Sequence, residues 1–184
     1  MFRRPVFIAL LVALVPMGRA SGTATATNGC DGFSRDLTRE LAVMRTAATP
    51  VAAAANAGNS RAGVVPDRHY TVTLRPQSEV RFDLPPARPA RDAMPQGGTL
   101  EFVVDTAGRY RVSIISAHWI DVVADGRFID SVAHEGHREC ALLRKSVEFD
   151  LPARTRLVLQ ISGRAERELG LAITRARPVR PWRG

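Results

Sequence analysis

The feature that most constrains this chain is a two-residue alternation of apolar and polar side chains that begins at His69 and recurs almost to its end. Residues 69–75 place Tyr70, Val72 and Leu74 on one face. Residues 79–84 do the same with Val80, Phe82 and Leu84. Further short runs follow at 99–104, 109–115, 119–123, 128–132, 146–151, 156–161 and 169–173, with turn residues between them. Asp125-Gly126 is a strong hairpin signal, because the pair tolerates the positive φ values of a type I′ turn. About nine one-faced strands and no long helical pattern predict an all-β fold. An antiparallel β-sandwich or jelly roll buries so many half-apolar strands most directly.

One helical pattern precedes the strands. Phe33, Leu37, Leu41 and Met44 share one face of a 3.6-residue period, with Asp31 as the expected N-cap. Arg35, Asp36, Arg39 and Glu40 are expected on the wet side. A short helix cannot bury such a stripe by itself, so it should pack on the β domain. From Ala47 to Gly63 the chain is mostly Ala, Thr, Asn and Gly and reads as a partly mobile linker. The expected organisation is therefore a leader over 1–26, a helix and linker over 27–66, a β-sandwich over 67–175 and a basic, disordered tail over 176–184.

The first residues carry Arg3-Arg4 and no acid, then a nearly unbroken apolar run from Val6 to Val15, broken by Pro16 and Gly18. This is the pattern of a signal peptide and is short for a bilayer span, which needs about 20 apolar residues. Gly18/Ala20 and Ala24/Ala26 both offer small residues for cleavage. An uncleaved anchor is the alternative. Export to the periplasm or medium is expected, and no second long apolar run follows, so the mature chain is expected to have no transmembrane segment.

Arginine and alanine abound, while Lys145 is the single lysine. Loss of Arg3, Arg4 and Arg19 lowers the net charge from +8 to about +5. A GC-rich genome explains this composition, and attraction to anionic surfaces such as lipopolysaccharide or acidic glycans is the functional reading. Nucleic acid is disfavoured by the export signal and by scattered arginines with few aromatics to stack on bases. Cys30 and Cys140 are the only cysteines. In an exported protein the pair reads as one disulfide closing a long loop, and two free thiols are the alternative.

Chemistry-bearing motifs are sparse. His134-Glu135-Gly136-His137, with His118 on another segment, offers an expected set of metal ligands for iron or zinc. The competing reading is a polar loop beside a disulfide, with no cofactor. The spacing is not that of His-Glu-x-x-His peptidases. Ser116, His118 and Asp121 are near one another in sequence, which is not triad geometry. Trp119 is a candidate sugar- or peptide-stacking residue if it faces outward, and a core residue if it does not. Val80-Arg-Phe-Asp-Leu-Pro-Pro-Ala87 echoes Val147-Glu-Phe-Asp-Leu-Pro-Ala-Arg154, through duplication or chance.

The stretches Gly108-Arg-Tyr-Arg-Val112, Trp119-Ile-Asp-Val-Val-Ala-Asp-Gly126, Val147-Glu-Phe-Asp-Leu-Pro152 and Leu159-Gln-Ile-Ser-Gly163 resemble small exported β-sandwich proteins of sphingomonad-type alphaproteobacteria. The resemblance spans most of the mature chain. Some of those proteins carry the name homogentisate 1,2-dioxygenase, although this chain is shorter than the cupin enzyme of that name and lacks its ligand motif. More loosely, the strand rhythm is similar to that of pre-peptidase C-terminal type domains, which are accessory or binding modules. The resemblance implies an exported, non-catalytic module that binds a glycan, a peptide or an envelope protein. The name implies the alternative, a metal-dependent oxygenase using the histidines.

Overall fold

The computed structural model describes residues 29–55 and 61–177, and the expected leader and nearly all of the basic tail lie outside these residues. Among them, eleven strands form two sheets. The six-stranded sheet runs β1 (Thr49–Ala52), β2 (His69–Thr73), β11 (Glu168–Arg175), β5 (Gly108–Ile114), β9 (Lys145–Leu151) and β8 (Ser131–Gly136). The five-stranded sheet runs β3 (Arg75–Pro76), β4 (Gln96–Phe102), β10 (Leu157–Arg164), β6 (Trp119–Ala124) and β7 (Arg127–Ile129). All pairs are antiparallel except β1 with β2. The fold is thus an all-β sandwich with one short helix.

Alternation does the work that the sequence pattern assigns to it. Val72, Val112, Ile114, Phe149, Leu171 and Ile173 point inward from one sheet and meet Leu100, Phe102, Val122, Leu159 and Ile161 from the other. Burying one such side chain contributes about 1.5–3 kcal/mol. Asp125 and Gly126 sit at φ 48° and 71°, as a type I′ turn requires, and join β6 to β7.

Several expectations are corrected. Residues 79–84 keep their alternating burial but form no strand. After a 3-10 turn at Gln77–Glu79, residues 80–95 cross the outer face of the five-stranded sheet as a strap. At Asp83 and Leu84 its partner is a side chain: Gln160 Oε1 accepts from the N–H groups of Asp83 (2.9 Å) and Leu84 (3.3 Å), and Gln160 Nε2 donates to Leu84 O (3.0 Å), while Arg91 N donates to Gly163 O of β10 (3.0 Å). The echo at residues 147–154 includes the true strand β9, so the two similar segments adopt different structures.

The run at 128–132 is split at Asp130. β7 stays with β6, while β8 crosses to the other sheet and pairs with β9. His134 and Glu135 therefore lie in a strand and not in a loop. The supposed linker contains β1, and its residues bridge the two sheets through Ala54 to Thr99 and Gly63 to Glu101.

The helix α1 spans Thr38–Met44. Asp31 does not cap it; Asp36 Oδ1 instead accepts from Thr38 N at 3.0 Å. Glu40, expected in water, is 1% exposed. On the outer face of the six-stranded sheet, Thr174, Arg111 and Glu148 stand side by side in register. Glu40 accepts from Thr174 (2.7 Å) and Arg111 (3.3 Å), and Arg111 Nε donates to Glu148 (2.8 Å). The charge that breaks the helical stripe is thus the one that binds the helix to the sheet.

Cys30 and Cys140 form a disulfide 110 residues apart in the chain. Together with Leu37 and Leu143 they make a second small core that fixes the N-terminal segment. Among the described residues no helix is long and apolar enough to cross a membrane.

Candidate functional site, a cationic patch around Trp119

Trp119 opens β6 and pairs with Ser162 of β10, which places it two residues before Asp121 on the outer face of the five-stranded sheet. It is half-buried and does face outward, so it is not a core residue. Its indole Nε1 donates to Asp121 Oδ1 at 2.7 Å, and Asp121 Oδ2 accepts from Ala87 N of the strap at 3.1 Å. The same strap brings Arg88, whose guanidinium carbon lies 5.3 Å from the Trp119 ring centroid. From the other sheet, Lys145 of β9 sets its Nζ 4.8 Å from that centroid. Cations so placed are attracted by the ring quadrupole, by about 0.5–2 kcal/mol each.

Lys145 Nζ donates to His118 O at 2.9 Å. Burial pushes its pKa down to about 8, opposed by Asp121 and reinforced by Arg91 and Arg144. The side chain is therefore still mainly charged at neutral pH. Burial raises the pKa of Asp121, while the bonds from Ala87 and Trp119 pull it back. Its two oxygens are committed to those donors.

The cluster has more positive charge than it can neutralise internally. Among the described residues, Arg88, Arg91, Arg144 and Lys145 form no salt bridge, a property shared with other arginines such as Arg81, Arg127 and Arg154; what sets Arg88 and Lys145 apart is the Trp119 ring. Buried Asp121 acts on Lys145, while Asp92, held by Arg164, and Glu166 act on the neighbouring His118. The patch attracts anions, and Trp119 orders two of the long cationic side chains that meet them.

The histidines expected as metal ligands are not brought together. His118 is fully buried, with Nδ1 2.8 Å from Ser116 Oγ, and among the described residues its Nε2 meets no hydrogen-bond partner. Burial lowers its pKa to about 4, so it is neutral at pH 7. His134 is exposed on β8. His137 stacks on Phe33 with centroids 5.5 Å apart, pressed against Gly32, where a Cβ would stand 2.0 Å from Nε2. Among the described residues no three His, Cys, Asp or Glu side chains are grouped to hold a metal ion. Nor do Ser116, His118 and Asp121 form a relay, because Asp121 is bound to Trp119 and Ala87.

The sequence pattern points to Trp119 but not to Lys145, which it marks only as the single lysine, nor to Arg88, Arg91 and Arg144. Nothing in the local pattern marks them, because the strap brings Arg88 to the ring only after Gln160 and Asp121 have anchored it. Comparisons with protein-family models, with curated proteins and with solved structures return no match.

Proposed function

We propose that the protein is an exported, non-catalytic β-sandwich module of the cell envelope that binds an acidic glycan at the Trp119 patch. The observation that carries this reading is a half-buried, outward-facing Trp119 with Arg88 and Lys145 at its ring, and Arg91 and Arg144 close enough to act on Lys145. Carboxylate or sulfate groups of a sugar chain supply the missing counter-charge, and guanidinium groups recognise such planar or tetrahedral anions with paired hydrogen bonds. The apolar leader pattern and the single disulfide favour an oxidising compartment outside the cytoplasm. Glycans are the abundant polyanions of an envelope, which favours them over nucleic acid.

The test is a binding panel of acidic and neutral polysaccharides, with polygalacturonate and heparin set against dextran and laminarin. Retention by the acidic members alone supports the reading. Equal retention by neutral members, or none at all, refutes it. A reporter fused after Cys30 tests export, since activity that stays in the cytoplasm contradicts the envelope assignment.

A further inference from the structure

A second recognition feature lies at the opposite end of the sandwich from Trp119. There the N–H and C=O groups on the free side of β4 are paired in turn. Thr99 exchanges both bonds with Ala54 (2.9 and 3.0 Å). Glu101 N donates to Ala62 O (3.0 Å), and Glu101 O accepts from Val64 N (2.8 Å). The intervening residues face β10, where Phe102 pairs with Leu157 and Val104 O accepts from Arg154 N (2.8 Å). β4 ends at Phe102, and if the alternation continues one residue past it, as the Arg154 bond to Val104 O indicates, the next pair on that side belongs to Val103. Among the described residues neither group of Val103 has a backbone partner.

The reason is that the neighbouring segment leaves the edge at Val65. Its N–H is taken by Tyr70 Oη (2.9 Å), and Asp67 N is taken by Ile173 O (2.8 Å). Asp67 sits at φ 60°, and both of its carboxylate oxygens are held by Arg39. The gap between this anchored wall and residues 102–106 is an open groove of about 730 Å³. Val65 and Val103 are 52% and 44% exposed on its two sides. Arg175 also lines it and forms no salt bridge among the described residues.

We propose that this groove binds an extended peptide segment of a partner protein, which continues the β4 edge by pairing with Val103. A peptide is the occupant that presents both a donor and an acceptor to one side at strand spacing. The exposed valines take an apolar side chain, and Arg175 takes a peptide carboxylate. Because the wall is fixed by Tyr70, Ile173 and Arg39, the groove exists before the ligand arrives, and little ordering cost falls on the protein.

The test uses the mature protein and the alternating probe acetyl-Thr-Val-Glu-Val-Thr-Val-amide. Saturable binding is expected, with exchange of the Val103 amide hydrogen slowed at least about tenfold by the peptide. Val103→Pro removes the donor and is expected to weaken binding at least about tenfold, whereas Val103→Thr stays within about threefold. If Val103→Pro does not fold, the exchange measurement on the unaltered protein decides alone. Absence of saturable binding, or binding that leaves the Val103 amide unprotected, overturns the proposal. Arg88→Ala is expected to leave peptide binding unchanged, which separates this site from the glycan patch.

Discussion

The ammonium of Lys145 lies 4.8 Å from the centroid of the Trp119 ring while donating to the carbonyl of His118. Its pKa of about 8 makes its charge depend on pH just above neutrality. Affinity for polygalacturonate is therefore expected to fall as pH rises from 7 through 9, as the lysine loses its proton. Lys145→Arg is expected to flatten that fall. Calorimetric titration at several pH values measures both, and identical profiles would argue against a role for Lys145.

His118 carries an opposite lesson about buried groups. Its folded pKa of about 4 lies below the ordinary value of 6.5, so the unfolded chain binds the proton more readily. The stability it contributes is fully present above pH 6.5 and is lost as pH falls through 4. The loss amounts to about 3 kcal/mol, at 1.36 kcal/mol for each pKa unit. Asp121, whose pKa is raised, pulls the other way near the acid end. Urea unfolding at pH 7 and pH 4, compared between the native chain and His118→Asn, isolates the histidine. The variant is expected to lose less stability on acidification.

The strap depends on Gln160 more than on its own sequence. Gln160→Leu leaves the N–H groups of Asp83 and Leu84 without their acceptor. The expected cost is about 1–3 kcal/mol, with faster hydrogen exchange at those two amides. Protection that survives the substitution would show that other contacts hold the strap.

The Cys30–Cys140 bond closes a loop of 110 residues. The chain-entropy relation assigns such a cross-link about 4–5 kcal/mol. The double variant Cys30→Ser, Cys140→Ser is expected to unfold at correspondingly lower denaturant. Its small core of Leu37 and Leu143 is expected to open first, as seen by hydrogen exchange. Two reactive thiols in the denatured, unreduced native chain would contradict the pairing.

Much of the fold is legible in the sequence because alternation reports burial directly. It marks β2, β4, β5, β6, β9, β10 and β11, all of which have one face in the common core. It fails where burial and strand pairing separate. Val80, Phe82 and Leu84 alternate because they lie on a sheet, yet their backbone is bound by a side chain and not by a strand. It fails again at Asp130, where a continuous pattern hides a change of sheet. Glu40 misleads because a charge at the edge of a helical stripe looks solvated until Arg111 and Thr174 are brought beneath it. The site was half legible for the same reason. Trp119 stands out as a candidate stacking residue, while Lys145 and the strap arginines acquire meaning only through long-range docking.

The central claim is that unneutralised charge around Trp119 binds an acidic glycan, and the dependence of that binding on salt tests it most directly. Titration of polygalacturonate oligomers into the mature protein at low and high ionic strength is expected to give affinity that falls steeply with salt. The double variant Arg88→Ala, Lys145→Ala is expected to bind at least about tenfold more weakly, with a shallower salt dependence. Binding that is indifferent to salt and unchanged in the double variant would contradict the account.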